Sequence, residues 1–102
     1  MIIVDGWVRF GTGELAALSD AAATMMTATH KESGCLHYAF SADMAEPDLM
    51  RISERWVDQA AIDAHLQTAH MAAFNQAIGG RKILGVSVKA YSGEFLKTLM
   101  GE

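Results

Sequence analysis

Two histidines, His65 and His70, stand five positions apart in the stretch DAHLQTAHM, residues 63–71. Metal ligands on one helix are normally three or four apart, so that both lie on one face. Five positions turn the second ring by about 140° on an unbroken helix. The pair can converge only across a break in the chain, and no carboxylate lies between them. The spacing argues against zinc or iron, and no metal is expected; distant ligands such as His37 or Glu54 would have to complete such a site. Acid–base work asks less. His65 shares helical spacing with Ala61, Ile62 and Leu66, on a side that should face inward, where an imidazole can accept a phenolic proton. His70 follows Thr68 in a first helical turn, where the dipole opposes positive charge. These are the two candidate catalytic residues. The competing reading for both is packing or capping near a helix end.

Further candidates lie on a strand. MRISERWV, residues 50–57, alternates Met50, Ile52, Glu54 and Trp56 against Arg51, Ser53 and Arg55. With the first set facing inward, Trp56 can stack on an aromatic molecule, and Glu54 becomes a buried carboxylate that needs a partner. Tyr38 can offer a hydroxyl and Asn75 an amide, and Met71 and Phe74 lie on a helical stripe that can wall a pocket. Each also has a plainer reading: core anchor, structural ion pair, cross-strand packing, or a solvated helix position. His30 near a helix end, His37 and Cys35 need no functional reading.

The bulk numbers narrow the field. A chain of 102 residues makes one domain, residues 1–102, with a modest core. The formal net charge is -4, with no run of lysine or arginine, which speaks against nucleic acid and anionic membrane surfaces as partners. Seven methionines suggest adaptable apolar packing. A single cysteine forms no internal disulfide, and MIIVDGWVRF lacks the basic start of a signal peptide; a soluble, cytoplasmic protein is expected.

The elements that must position these residues follow from periodicity. IIVDGWVRF, residues 2–10, reads as a strand with Ile2, Val4, Val8 and Phe10 on one face and Ile3 and Trp7 on the other. Thr12 is the expected N-cap of a helix whose stripe is Leu15, Leu18, Ala22, Met25, Met26 and Thr29. KESG ends it, with Gly34 suited to a left-handed position. Residues 35–43 alternate, with Leu36, Tyr38 and Phe40 sharing a face, and form a hairpin with residues 50–57 across a loop holding Pro47. Asp58 caps a second helical stretch and Thr68 restarts it. GGR stops it, and residues 82–91 form the last strand. Residues 93–102 carry Phe95, Leu96, Leu99 and Met100, read as a short amphipathic turn or helix available to a partner subunit. The order β-α-β-β-α-β is ferredoxin-like, an α+β fold with a four-stranded antiparallel sheet. Two helices cover one sheet face, so apolar groups on the other predict a homodimer packed face to face.

Two segments carry a family resemblance. ESGCLHYAFSAD resembles the helix-to-strand segment of the antibiotic biosynthesis monooxygenase (ABM) domain family, and MRISERWVDQAAIDAHLQTAHMAAF resembles its most recognisable stretch. The resemblance implies a dimeric α+β barrel with a pocket between helices and sheet in each subunit. It implies no single chemistry, since the family includes cofactor-free oxygenases of phenols and quinols, heme-degrading enzymes and an isomerase. Heme-degrading members carry Asn on the first strand, Trp in the second helical stretch and His further along it; here those positions fall at Gly6 or its neighbours, at His65 and near Asn75, so that role is not expected. The expected function is cofactor-independent monooxygenation of an aromatic phenol or quinol-like small molecule, with no cofactor. The alternatives are an isomerase or other acid–base enzyme using the same pocket, and a non-enzymatic dimeric binding module.

Overall fold

The computed structural model describes all 102 residues. Strands β1 (Ile2–Phe10), β2 (Cys35–Ala42), β3 (Leu49–Trp56) and β4 (Ile83–Ser92) form one antiparallel sheet in the order β2-β3-β1-β4. Helices α1 (Glu14–Ala17), α2 (Ser19–Thr29), α3 (Gln59–His65) and α4 (Ala69–Gly79) fill the two helical positions of the β-α-β-β-α-β order. The fold is α+β and ferredoxin-like, as the periodicity implies. No helix is long and apolar enough to cross a membrane.

Alternation on β1 and β3 places Val4, Val8, Phe10, Met50, Ile52 and Trp56 in the core, closed from above by Leu18, Ala22, Met25 and Phe74. Arg51, Ser53 and Arg55 point to the opposite, exposed face. Strand β2 departs from its expected pattern. Its register slips between Cys35 and His37, so Cys35 pairs with Trp56 and packs on the core, while Leu36 is exposed. One extra residue in a strand reverses the alternation on one side of it. Leu36 therefore does not share the face of Tyr38 and Phe40.

The first helical stretch also differs in detail. It breaks at Leu18, whose N–H bonds Leu15 O at 3.0 Å in a tighter turn, and which is itself buried. Its start is not capped by Thr12: Gly13 takes the cap position at φ 80°, and its N–H donates to Asp48 Oδ1 at 3.0 Å. Gly34 is not left-handed. Its lack of a side chain is explained by packing, because a Cβ there would run into the Cβ of Ala61 on α3.

The second stretch follows its expected caps. Asp58 Oδ1 accepts from Ala61 N at 2.9 Å. Thr68 joins the two helices: its hydroxyl donates to His65 O at 2.8 Å and accepts from Met71 N at 3.2 Å. Residues 93–102 form no helix, and Phe95, Leu96, Leu99 and Met100 are all exposed. A helix of that length is marginal without a surface to bury its apolar side. The helices leave β4 uncovered as well: Val86 and Val88, opposite Val8 and Gly6 in the sheet, are half-exposed.

Candidate functional site

Two neighbouring arrangements meet at the Trp56 end of β3. The first is a cavity of about 260 Å³ between α4 and the sheet. Its walls are almost wholly apolar, including Val8, Phe40, Ile52, Met71, Phe74 and Val88. Three polar side chains reach it: Glu54, Tyr38 and Asn75. Glu54 lies between Tyr38 on β2 and Val4 on β1, so strand pairing fixes its place. It is only 7% exposed, and Trp56 Nε1 donates to its Oε1 at 2.9 Å. Burial pushes its carboxyl above the ordinary value of 4.5, against the opposing pull of the Trp56 bond and the charge of His65. Tyr38 is 3% exposed, and burial, with the nearby Glu54 and Glu32 charges, pushes its hydroxyl upward as well. A second depression of about 290 Å³, between the first helices and the hairpin loop, has no ionisable side chain in its lining.

The second arrangement is a carboxylate with two imidazoles. His65 closes α3 and His70 stands in the first turn of α4. The chain turns between them, and both rings face Glu32 in the α2–β2 connection. His65 Nδ1 and His70 Nε2 lie 2.7 and 2.8 Å from the same oxygen, Glu32 Oε2. A carboxylate only accepts, so both nitrogens carry the proton they share with it. His65 is 2% exposed, with its ring 4.7 Å from that of Trp56 and 5.3 Å from that of Tyr38.

The eight sequence candidates therefore divide. Glu54, Tyr38, Asn75, Met71 and Phe74 line the cavity. Trp56 is fully buried behind Glu54, where it presents its N–H to the carboxylate and its ring to His65. His65 and His70 are not in the cavity lining and meet each other through Glu32. The divergence expected of a five-residue spacing on an unbroken helix does not occur, because the Thr68 turn separates the helices. Glu32 escaped sequence reasoning. It lies 33 positions before His65, at the end of a helix that otherwise reads as generic, and no local pattern links them. The cavity wall on β4 was also missed, since Val86 and Val88 read simply as strand residues. His30 Nε2 donates to Tyr38 O at 2.7 Å, and His37 Nε2 lies 3.1 Å from Ser53 Oγ on the opposite sheet face.

Comparison with known proteins decides the family. The model of the antibiotic biosynthesis monooxygenase family matches residues 1–77. The chain belongs to this family. Among curated proteins it is 33% identical over 87 residues to the probable quinol monooxygenase YgiN of Escherichia coli, covering 78% of this chain and 84% of YgiN. Among solved structures it matches a candidate antibiotic biosynthesis monooxygenase from Deinococcus radiodurans with a TM-score of 0.89 and 26% identity, over 99% of this chain and 100% of that one. PA3566 from Pseudomonas aeruginosa shares the fold, with a TM-score of 0.81 and 21% identity over 92% of this chain and 94% of that one. Position 6 on β1 leaves no room for a side chain. Here a Cβ on Gly6 would lie 2.8 Å from the carbonyl oxygen of Ser87 on β4, so the strand pair closes that position.

Proposed function

We propose that this ABM-family protein is a cofactor-independent monooxygenase acting on a small phenol or quinol in the cavity beneath α4. The observation that carries this reading is Glu54, the one carboxylate in a mostly apolar cavity. Family membership and the similarity to a relative named as a quinol monooxygenase support it. The cavity volume of about 260 Å³ lies just below the usual range of ligand pockets and suits a small aromatic.

Such a substrate must first lose its hydroxyl proton, because the anion gives an electron to oxygen far more readily. A carboxylate whose proton affinity is raised by burial comes nearer to a phenol's, and so makes a better base than an exposed one. Trp56 holds one Glu54 oxygen, leaving the other to receive the proton. The Tyr38 hydroxyl, kept protonated by its surroundings, can donate to the substrate oxyanion. Substrate electrons reduce oxygen; one oxygen atom enters the ring system and the other leaves as water. In this reading Glu54 replaces His65 as the base, and His65 and His70 are positioning residues behind the Tyr38–Trp56 wall.

Oxygen uptake over a panel of quinols and phenols tests the proposal. Wild type should consume oxygen with at least one of them, and Glu54→Gln should lower kcat by about 100-fold or more. His65→Ala should cost less. No uptake by wild type across the panel would count against oxygenation. Exchange of substrate protons with solvent, without uptake, would instead favour an isomerase.

The same reading includes a homodimer. Support comes from the sheet face away from the helices, where Tyr91 is exposed and Ile3 and Trp7 are only half-buried, and from the exposed apolar side chains of the tail, Phe95, Leu96, Leu99 and Met100. Sedimentation at micromolar concentration should give twice the chain mass, and a stable monomer would refute it.

A further inference from the structure

We propose that Glu32, His65 and His70 form a binding site for a divalent transition-metal ion of the zinc class. One oxygen and two imidazole nitrogens, each from a different segment, come together there, and these atoms all lie within 4.8 Å of one another. Imidazole and carboxylate ligands hold zinc at roughly 2.0–2.2 Å, which sets ligand atoms about 3.3 Å apart around a tetrahedral ion. The present spacings of 2.7 and 2.8 Å from Oε2 need the carboxylate to withdraw by about half an ångström, and the two imidazole nitrogens, within 4.8 Å of each other, to settle at that ligand spacing. Glu32 can do so, because it sits in a connection after α2 rather than inside a strand or helix.

The surroundings suit such a site. The buried ring of His65 is fixed by Trp56 and Tyr38, as ligands held by outer contacts are. His70 and Glu32 stand nearer to solvent. Glu32 lines a surface depression with Ser33, Gly34 and Asp58, and His70 lines another beside Thr24 and Met25. An ion can therefore arrive from the surface, bind three protein ligands and keep water in its remaining position. Two histidines and one carboxylate with a position left open are a known ligand set for zinc and iron(II). The ion would tie the α2–β2 connection to the facing ends of α3 and α4, on the far side of Trp56 from the cavity. The proposal is independent of the oxygenation reading and can be measured without substrate.

Chelator-treated protein titrated with Co²⁺ and Zn²⁺ provides the test. One Co²⁺ per chain should bind with a visible absorption band, and Zn²⁺ should displace it. Glu32→Gln and His70→Gln should each weaken binding at least tenfold, whereas His37→Ala should leave it unchanged. In wild type, Zn²⁺ should move the ring ¹⁵N signals of His65 and His70 but not those of His30 or His37. That measurement stands even where a variant fails to fold. Absence of stoichiometric binding at micromolar ion, binding unchanged in both ligand variants, or shifts confined to His30 and His37 would each overturn the proposal.

Discussion

Glu54 and Glu32 are two carboxylates on either side of one tryptophan, and their surroundings are opposite. Glu54 is almost fully buried among apolar side chains, has one N–H donor, and holds its proton more tightly than an ordinary carboxylate. Glu32 is partly exposed and receives two imidazole donors on a single oxygen. Sparse donors leave a carboxylate available to exchange a proton with whatever occupies the cavity. Dense donors make it a joint that fixes three segments of chain. The difference teaches that a carboxylate open to the cavity is marked by the partners it lacks, and that the richest cluster of polar groups is not the one that faces the cavity.

Trp56→Ala strains this division most. The indole is wholly buried and touches both carboxylate systems, so its loss should cost about 3–5 kcal/mol in a urea melt. It should also abolish ligand binding in the cavity. A mild effect on both would mean that Trp56 does not link the two regions. Glu32→Ala should come next, removing the acceptor of two partly or fully buried ring N–H groups at about 1–3 kcal/mol. The affinity of the cavity for a quinol should change little. Equal losses of stability and affinity would show that the two regions act as one.

Thr68→Ala should cost about 1 kcal/mol, the usual effect of losing a helix cap, read from the denaturation midpoint. Its diagnostic consequence is on the histidines, whose shared contact with Glu32 depends on the turn that Thr68 holds. The smallest effect is pH dependence. A carboxyl with a raised folded-state pKa stabilises the fold fully below its unfolded value and loses that contribution as pH climbs through the raised value. Glu54 should therefore make wild type lose stability relative to Glu54→Gln as pH rises from about 4.5. Parallel stability–pH curves for the two proteins would remove the distinction drawn for Glu54.

Much of this was legible in the sequence because it rests on local periodicity. The alternation of residues 50–57 placed Glu54 and Trp56 inward, and helical spacing placed Met71 and Phe74 above the sheet. Asp58 and Thr68 were readable as caps because capping is a short-range bond between a side chain and the N–H three residues on. What could not be read depends on distant or irregular geometry. The bulge near Leu36 adds one residue without altering composition, so alternation gave the wrong face to Leu36. Glu32 reaches its histidines only through the tertiary fold. The direction of His65 was readable, yet not what stood in front of it. Tyr38 and Trp56 occupy that place, and their ring positions follow from packing rather than sequence pattern.

Thr68 has one more consequence. It anchors the start of α4 beside the histidine–glutamate joint, while Met71, Phe74, Asn75 and Ile78 project from the following turns onto the cavity. Attachment and cavity lining thus occupy successive stretches of a single helix. Exchanges among those later positions can redraw the cavity's outline while the hinge with α3 stays as it is, so the cavity's shape can change without disturbing the joint.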